Sequence, residues 1–224
     1  MSGVYSFVAG SVGVMDVWFG SSGGALLLLD YAGVVVFAIT GALAAARNRH
    51  DFITFAVFAI LTGVGGGTLR DLLIAVPVFW IHGCGYLVTC LAGAAAVWLM
   101  GHRLWRSGAL IWLDAVGLAG YAVIGAWKSL DVGVPPIVAV VMGTITATFG
   151  GILRDLFAES PSVLLQREIY ITAAIATACV FVTLRCLAVD VVLCSATAFI
   201  VGFGLRAGAI LWRWKLPEFD RSGG

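Results

Sequence analysis

Gly63-Val64-Gly65-Gly66-Gly67-Thr68-Leu69-Arg70-Asp71-Leu72 is followed, 84 residues further on, by Gly150-Gly151-Ile152-Leu153-Arg154-Asp155-Leu156. The two stretches share the pattern Gly-Gly-x-Leu-Arg-Asp-Leu, and the likeness extends outward at the same offset without a gap. Leu29-Asp30 matches Leu113-Asp114, Gly33 matches Gly117, and Gly41-Ala42 matches Gly125-Ala126. Thr62 matches Thr146, Pro77 matches Pro161 and Tyr86 matches Tyr170. Apolar matches are cheap in a chain of this composition, whereas coincident Asp, Thr, Arg, Pro and Tyr are not. The chain is therefore an internal repeat.

The surroundings of the repeat identify its solvent. Of 224 residues, 61% are hydrophobic and only 11% are charged, and the mean hydropathy is +1.05. Globular domains carry ~25% charged residues, and a 23.4 kDa fold has too much surface to cover with so few charges. The surface meets lipid, which excludes a water-soluble domain, a coiled coil and a disordered chain. A net charge of +1 gives no general attraction to nucleic acid. The five cysteines form no C-x-x-C pair and sit mostly in apolar runs, so neither a metal site nor a disulfide framework is read. His50, His82 and His102 share no acidic spacing, and no nucleophile, base and orienting group occur together, so an enzyme is not expected.

A helix needs about 20 residues to cross a bilayer core of ~30 Å. Seven stretches qualify, at 26–46, 53–76, 84–101, 109–127, 135–157, 168–187 and 189–212. The expected fold is an all-α integral membrane protein of seven transmembrane helices. Residues 1–25 form an N-terminal leader, 26–107 a first three-helix repeat and 108–188 a second. Residues 189–215 hold the seventh helix and 216–224 a tail. Because three is odd, the second repeat enters the membrane from the opposite side to the first, the inverted arrangement common among membrane transport proteins. Arg47, Arg49, Arg103, Arg106, Arg167, Arg213, Lys215 and Arg221 fall on one side of this frame, and only Lys128 and Arg185 on the other. Basic residues mark the cytoplasmic side, so the N-terminus is expected outside and the C-terminus in the cytoplasm of a multi-pass plasma-membrane protein.

Several residues within this frame are candidates for function. The glycines Gly63, Gly65, Gly66, Gly67, Gly150 and Gly151 weaken their helices and leave room for a kinked or unwound backbone, which lipid tolerates only where protein or a water-filled path shields it. The competing reading is that small residues let helices pack closely. Thr62, Thr146 and Thr148 could offer hydroxyls to a pore, or bond their own helix backbone. Asp30, Arg70, Asp71, Asp114, Arg154 and Asp155 are costly within a membrane, ~2.5–3.5 kcal/mol each if isolated, and need partners. Depth suggests Asp30 with Arg70 and Asp114 with Arg154, since adjacent helical residues such as Arg70 and Asp71 point about 100° apart. These pairs either lock the halves together or line a pore. Lys128 ends the fourth span, either as a surface anchor or as a mobile charge at a pore entrance that obstructs cations or answers to voltage. Arg206 reads as an inner-end anchor.

The paired Gly-Gly-x-x-Arg-Asp blocks, Asp114-Ala-x-Gly117, Gly125-Ala-x-Lys128 and the closing Arg206-x-x-Ala209-Ile-x-Trp-x-Trp-Lys-Leu-Pro217 resemble prokaryotic members of the trimeric intracellular cation channel family, from residue 26 to 219. The resemblance implies a homotrimer in membrane lipid, with a separate path in each subunit. It also implies second and fifth helices kinked at Gly63 to Gly67 and at Gly150 to Gly151, permeation of potassium and also sodium, and no cofactor. A secondary transporter of a small solute such as glycine is the alternative, because inverted repeats and broken helices serve alternating access equally well.

Overall fold

The computed structural model describes residues 23–81, 83–105, 108–159 and 169–214. These residues form seven helices: α1 (Gly23–Arg47), α2 (Phe52–Leu73), α3 (Gly85–Trp105), α4 (Ala109–Asp131), α5 (Pro136–Phe157), α6 (Ile171–Cys186) and α7 (Val191–Trp212). The all-α seven-helix arrangement is the one read from the sequence. The leader falls on residues outside those described, apart from its last few, which already belong to α1. The tail lies wholly outside them.

Local chemistry fixes most boundaries. The Asp51 carboxylate accepts the Thr54 amide at 2.8 Å and starts α2, while Asp190 accepts the amides of Val192 and Leu193 and starts α7. Each satisfies donors that a helix leaves open at its first turn. Asp51 is exposed between two spans, and the backbone hydrogen bond to Thr54 holds its carboxyl below the ordinary value of 3.8. Pro136 occupies the first turn of α5, where its missing N–H costs nothing. The α4–α5 turn passes through Gly133 at φ 89°, a conformation that L side chains avoid.

Two boundaries differ from expectation in ways that matter. Helix α4 runs one turn beyond 127, to Asp131, which carries Lys128 inside the helix rather than past its end. Helix α2 stops at Leu73, three residues before the expected 76, and turns through Ala75 at φ 55°. Five helices are long and apolar enough to cross a membrane, and α3 and α6 carry shorter apolar segments of Gly85–Met100 and Ile171–Cys186. The 16 residues of α6 rise only about 24 Å.

Packing follows the repeat. Helices α1, α2 and α3 contact one another, as do α4, α5 and α6; the halves meet through α1 against α4 and α2 against α5, and α7 lies on α4 and α6. The solvent logic of a soluble protein is inverted. Leu28, Ile53, Leu99, Ile137 and Ile200 are exposed, while Arg70 and Arg154 are the largest fully buried side chains among the described residues. Lipid meets the apolar rim, and the charges are shielded within the bundle.

Candidate functional site

The two halves touch at a backbone crossing. A Cβ on Gly66 would run into the carbonyl oxygen of Thr146, and one on Gly150 would lie 2.5 Å from the carbonyl oxygen of Thr62. These contacts exchange under the repeat offset, since Gly66 corresponds to Gly150 and Thr62 to Thr146. Glycine is thus required at both positions by close approach of α2 to α5. The other counterparts at this level, Phe37 and Tyr121, stack with ring centroids 5.1 Å apart, and the Tyr121 hydroxyl donates to the Gly63 carbonyl at 3.0 Å.

Helices α2 and α5 are helical throughout their glycine blocks, which corrects the expectation of an unwound backbone. The main chain satisfies its own hydrogen bonds there, as lipid demands, and the missing side chains serve close packing. Gly63 faces the Cys90 sulfur, Gly65 faces Leu153, Gly67 faces the Phe79 ring and Gly151 faces the Tyr170 hydroxyl. Thr146 and Thr148 donate to the carbonyls of Met142 and Thr144 in their own helix. Thr62 is buried with its hydroxyl unbonded.

A charged cluster lies at each end of the crossing. The first joins the start of α1, the end of α2, the start of α3 and the end of α4. The Lys128 ammonium sits 2.7 Å from Asp30 Oδ2, which also accepts the Tyr86 hydroxyl at 3.0 Å. Arg70 folds back on Asp71, its Nε and Nη2 donating to Oδ1 at 2.9 and 2.6 Å, and Asp71 Oδ2 accepts the Phe79 amide at 3.0 Å. The Phe79 ring lies 4.9 Å from the Lys128 ammonium and edge-on to Tyr86, which stacks on Tyr31 at 4.3 Å.

The second cluster joins the starts of α4 and α6 to the ends of α5 and α7. Arg154 Nη1 donates to Asp114 Oδ1 at 2.6 Å and its Nε to Asp155 Oδ1 at 2.9 Å. Tyr170 stands beside them, and the Arg206 guanidinium lies 5.1 Å from the centre of its ring.

Three expectations are corrected here. Asp30 is held by Lys128 and Tyr86, not by Arg70, because the extra turn of α4 brings an ammonium to the carboxylate. Arg70 and Arg154 each bond the next residue; an arginine is long enough to curl back across the angle that separates neighbouring helical positions. Lys128 and Arg206 are buried, with 7% and 3% of their surface exposed, and neither anchors to the membrane surface. Both lie inside the bundle, where an unpaired charge would be prohibitive. Asp114 and Arg154 meet as their depth suggested.

Counterparts in the repeat, Asp30 and Asp114, Arg70 and Arg154, Asp71 and Asp155, Tyr86 and Tyr170, supply the same four groups to each cluster. The second cation comes from outside the unit each time, Lys128 from the other half and Arg206 from α7. Two carboxylates then face two cations at either end, and each cluster is formally neutral. The tyrosines were visible in the sequence as a matched pair, and the roles of Phe79 and Tyr121 carried no comparable signal.

A family model described as "Glycine transporter" matches the chain twice, over residues 27–102 and 111–185, which are the two halves. The UPF0126 inner membrane protein YadS of Escherichia coli strain K12 is 37% identical over 195 residues, covering 85% of this chain and 94% of its own. A UPF0126 membrane protein of Vibrio cholerae is 37% identical over 204 residues, covering 87% and 82%. Among solved structures, the TRIC trimeric intracellular cation channel orthologue from Rhodobacter sphaeroides superposes with a TM-score of 0.82 at 43% identity, over 85% of this chain and 99% of that one. The chain belongs to the TRIC family. A second TRIC cation channel, solved to explain conductance, matches with a TM-score of 0.79 at 29% identity over 88% of this chain and 98% of its own. The inner-membrane relative and the apolar helices make this TRIC-family chain a multi-pass inner membrane protein.

Proposed function

We propose that the protein is a cation channel whose path runs between the two inverted halves along the α2–α5 crossing. The observation that carries this reading is the match to the Rhodobacter sphaeroides channel orthologue, 43% identical across 99% of that chain. Potassium is the chief permeant ion and sodium a second. The protein works as a homotrimer in lipid with a path in each subunit, its N-terminus outside and its C-terminus in the cytoplasm. On this reading the arrangement is a closed one. Lys128 fills the first cluster between Asp30 and the Phe79 ring, where its positive charge repels a cation. Conduction begins when this ion pair parts and α2 shifts against α5 at Gly66 and Gly150. Such a shift exposes Thr62, Thr146, Thr148 and the carbonyls around Gly63, Gly65, Gly67 and Gly151, oxygens that can replace the water around a cation. Arg70 with Asp71 and Arg154 with Asp155 remain as charged rims.

Purified protein in planar bilayers under a potassium gradient tests this directly. Discrete current steps that reverse at the potassium equilibrium potential are expected. Steps without cation preference would overturn the selectivity, and silent membranes the channel. The description of the matching family model favours a second reading, a glycine transporter. Saturable, gradient-coupled uptake of glycine into liposomes without unitary currents would establish it.

A further inference from the structure

The two clusters are built from the same four groups but are filled differently. At Gly67 the place of the absent side chain is taken by the Phe79 ring, which a Cβ would meet at 2.7 Å. Its counterpart Gly151 faces polar atoms instead: a Cβ there would meet the Tyr170 hydroxyl at 2.6 Å, Asp114 Oδ1 at 3.5 Å and Arg154 Nη2 at 3.6 Å. At this end hydrogen-bonding capacity is left over. Among the described residues, the Tyr170 hydroxyl, Asp114 Oδ2 and Arg154 Nη2 are buried without a hydrogen-bond partner, Nη2 being in an ion pair with Asp155 Oδ1 at 2.9 Å. The three residues are at most 2% exposed. Among the described residues the first cluster leaves no such remainder: Tyr86 donates to Asp30 Oδ2, which also takes the Lys128 ammonium, and Arg70 Nη2 donates to Asp71.

A buried polar atom without a partner costs ~1–3 kcal/mol, and three on neighbouring side chains do not persist unless something satisfies them. The set prescribes the occupant. Arg154 Nη2 can only donate, a carboxylate oxygen can only accept, and a phenol does either. The occupant must accept from the guanidinium and donate to the carboxylate, and no apolar group or bare ion does both. We infer that a resident water molecule sits beside Gly151, bound by Arg154, Asp114 and Tyr170, and that the first cluster has no such site. Internal waters with two to four polar partners are ordinary parts of folded proteins. One end of the α2–α5 crossing is therefore wetted while the other is closed by the Phe79 ring.

Radiolytic hydroxyl-radical footprinting of the full-length protein in detergent tests this, because a brief X-ray exposure makes radicals from water already in place. Tyr121 is the internal control: it is equally buried, but its hydroxyl is satisfied by the Gly63 carbonyl. Oxidation of Tyr170 several-fold above that of Tyr121, read by mass spectrometry, is expected. Equal labelling of the two would overturn the site. In the Gly151→Ser/Tyr170→Phe double variant the serine hydroxyl takes the place of the water and of the phenol, and labelling at 170 should fall to the level of Tyr121. Persistence of the label in a variant with a wild-type melt would also overturn it. A high-resolution density map gives an independent reading: an isolated peak beside Gly151 supports the water, and a protein side chain there refutes it. Neither readout depends on conductance, so electrically silent protein leaves this test intact.

Discussion

Phe37 and Tyr121 occupy equivalent positions in the two halves, 84 residues apart, and their rings stack on each other at an interplanar angle of 22°. The repeat therefore meets itself on its own axis, but with one hydroxyl more on one side. That hydroxyl ties α4 to the α2 backbone at Gly63, and nothing equivalent can tie α1 to α5 because phenylalanine has no donor. Tyr121→Phe should cost ~0.5–1.5 kcal/mol, the net value of one buried hydrogen bond. Thermal melts in detergent measure it, and single-channel records should show altered opening if α2 moves during gating.

The glycine crossing predicts a contrast between two alanines. Gly150→Ala drives a methyl group against the Thr62 carbonyl, and backbone cannot yield as a flexible side chain does. Overpacking of this kind costs ~1–3 kcal/mol. Gly204→Ala in α7, which has nothing within 4 Å of the new methyl, should instead gain the ~0.5–1 kcal/mol by which alanine exceeds glycine in a helix. Equal melts for both variants would remove the close crossing.

Lys128→Met should strand the Asp30 carboxylate in the bundle without its ammonium partner. Breaking one side of a buried pair costs ~3–5 kcal/mol, whereas replacing both partners is close to neutral. The double variant Asp30→Asn/Lys128→Met is thus expected to recover most of the stability lost by the single one. Under the proposed gating it also stays open longer in bilayers, because the blocking charge is gone.

Asp114→Asn removes the charge that Arg154 holds at 2.6 Å, and its loss in a detergent melt should exceed that of Asp190→Asn. Asp190 lies exposed at the start of α7, where an amide caps nearly as well as a carboxylate.

Asp51 offers a pH test away from the membrane core. Its folded value is the lowered one, so the cap contributes fully above the ordinary carboxylate value, and its contribution is lost as pH falls through the folded value. Carboxyl NMR titration should place Asp51 below 3.8. The melting temperature of Asp51→Asn should fall less in acid than that of the wild type.

The helices and their repeat were legible because periodic hydrophobicity and paired polar residues survive in one dimension. Asp114 with Arg154 followed from depth alone. The partner of Asp30 did not, since it hangs on a single extra turn of α4, and helix ends are where sequence patterns are weakest. The fold-back of Arg70 onto Asp71 was missed for a different reason: helical geometry fixes where a side chain leaves the backbone, not where its four rotatable bonds take it. The glycines were conspicuous in sequence, yet their partners, the carbonyls of Thr62 and Thr146, belong to the backbone and leave no trace in residue type.

The brevity of α6 reaches beyond the protein itself. A 16-residue helix falls several ångströms short of a typical hydrocarbon slab, and the bilayer must thin around it at a fraction of a kcal/mol per ångström. Bilayers of shorter acyl chains relieve that mismatch, so the thickness of the host membrane becomes a mechanical input acting on α6 and on the equally short apolar segment of α3.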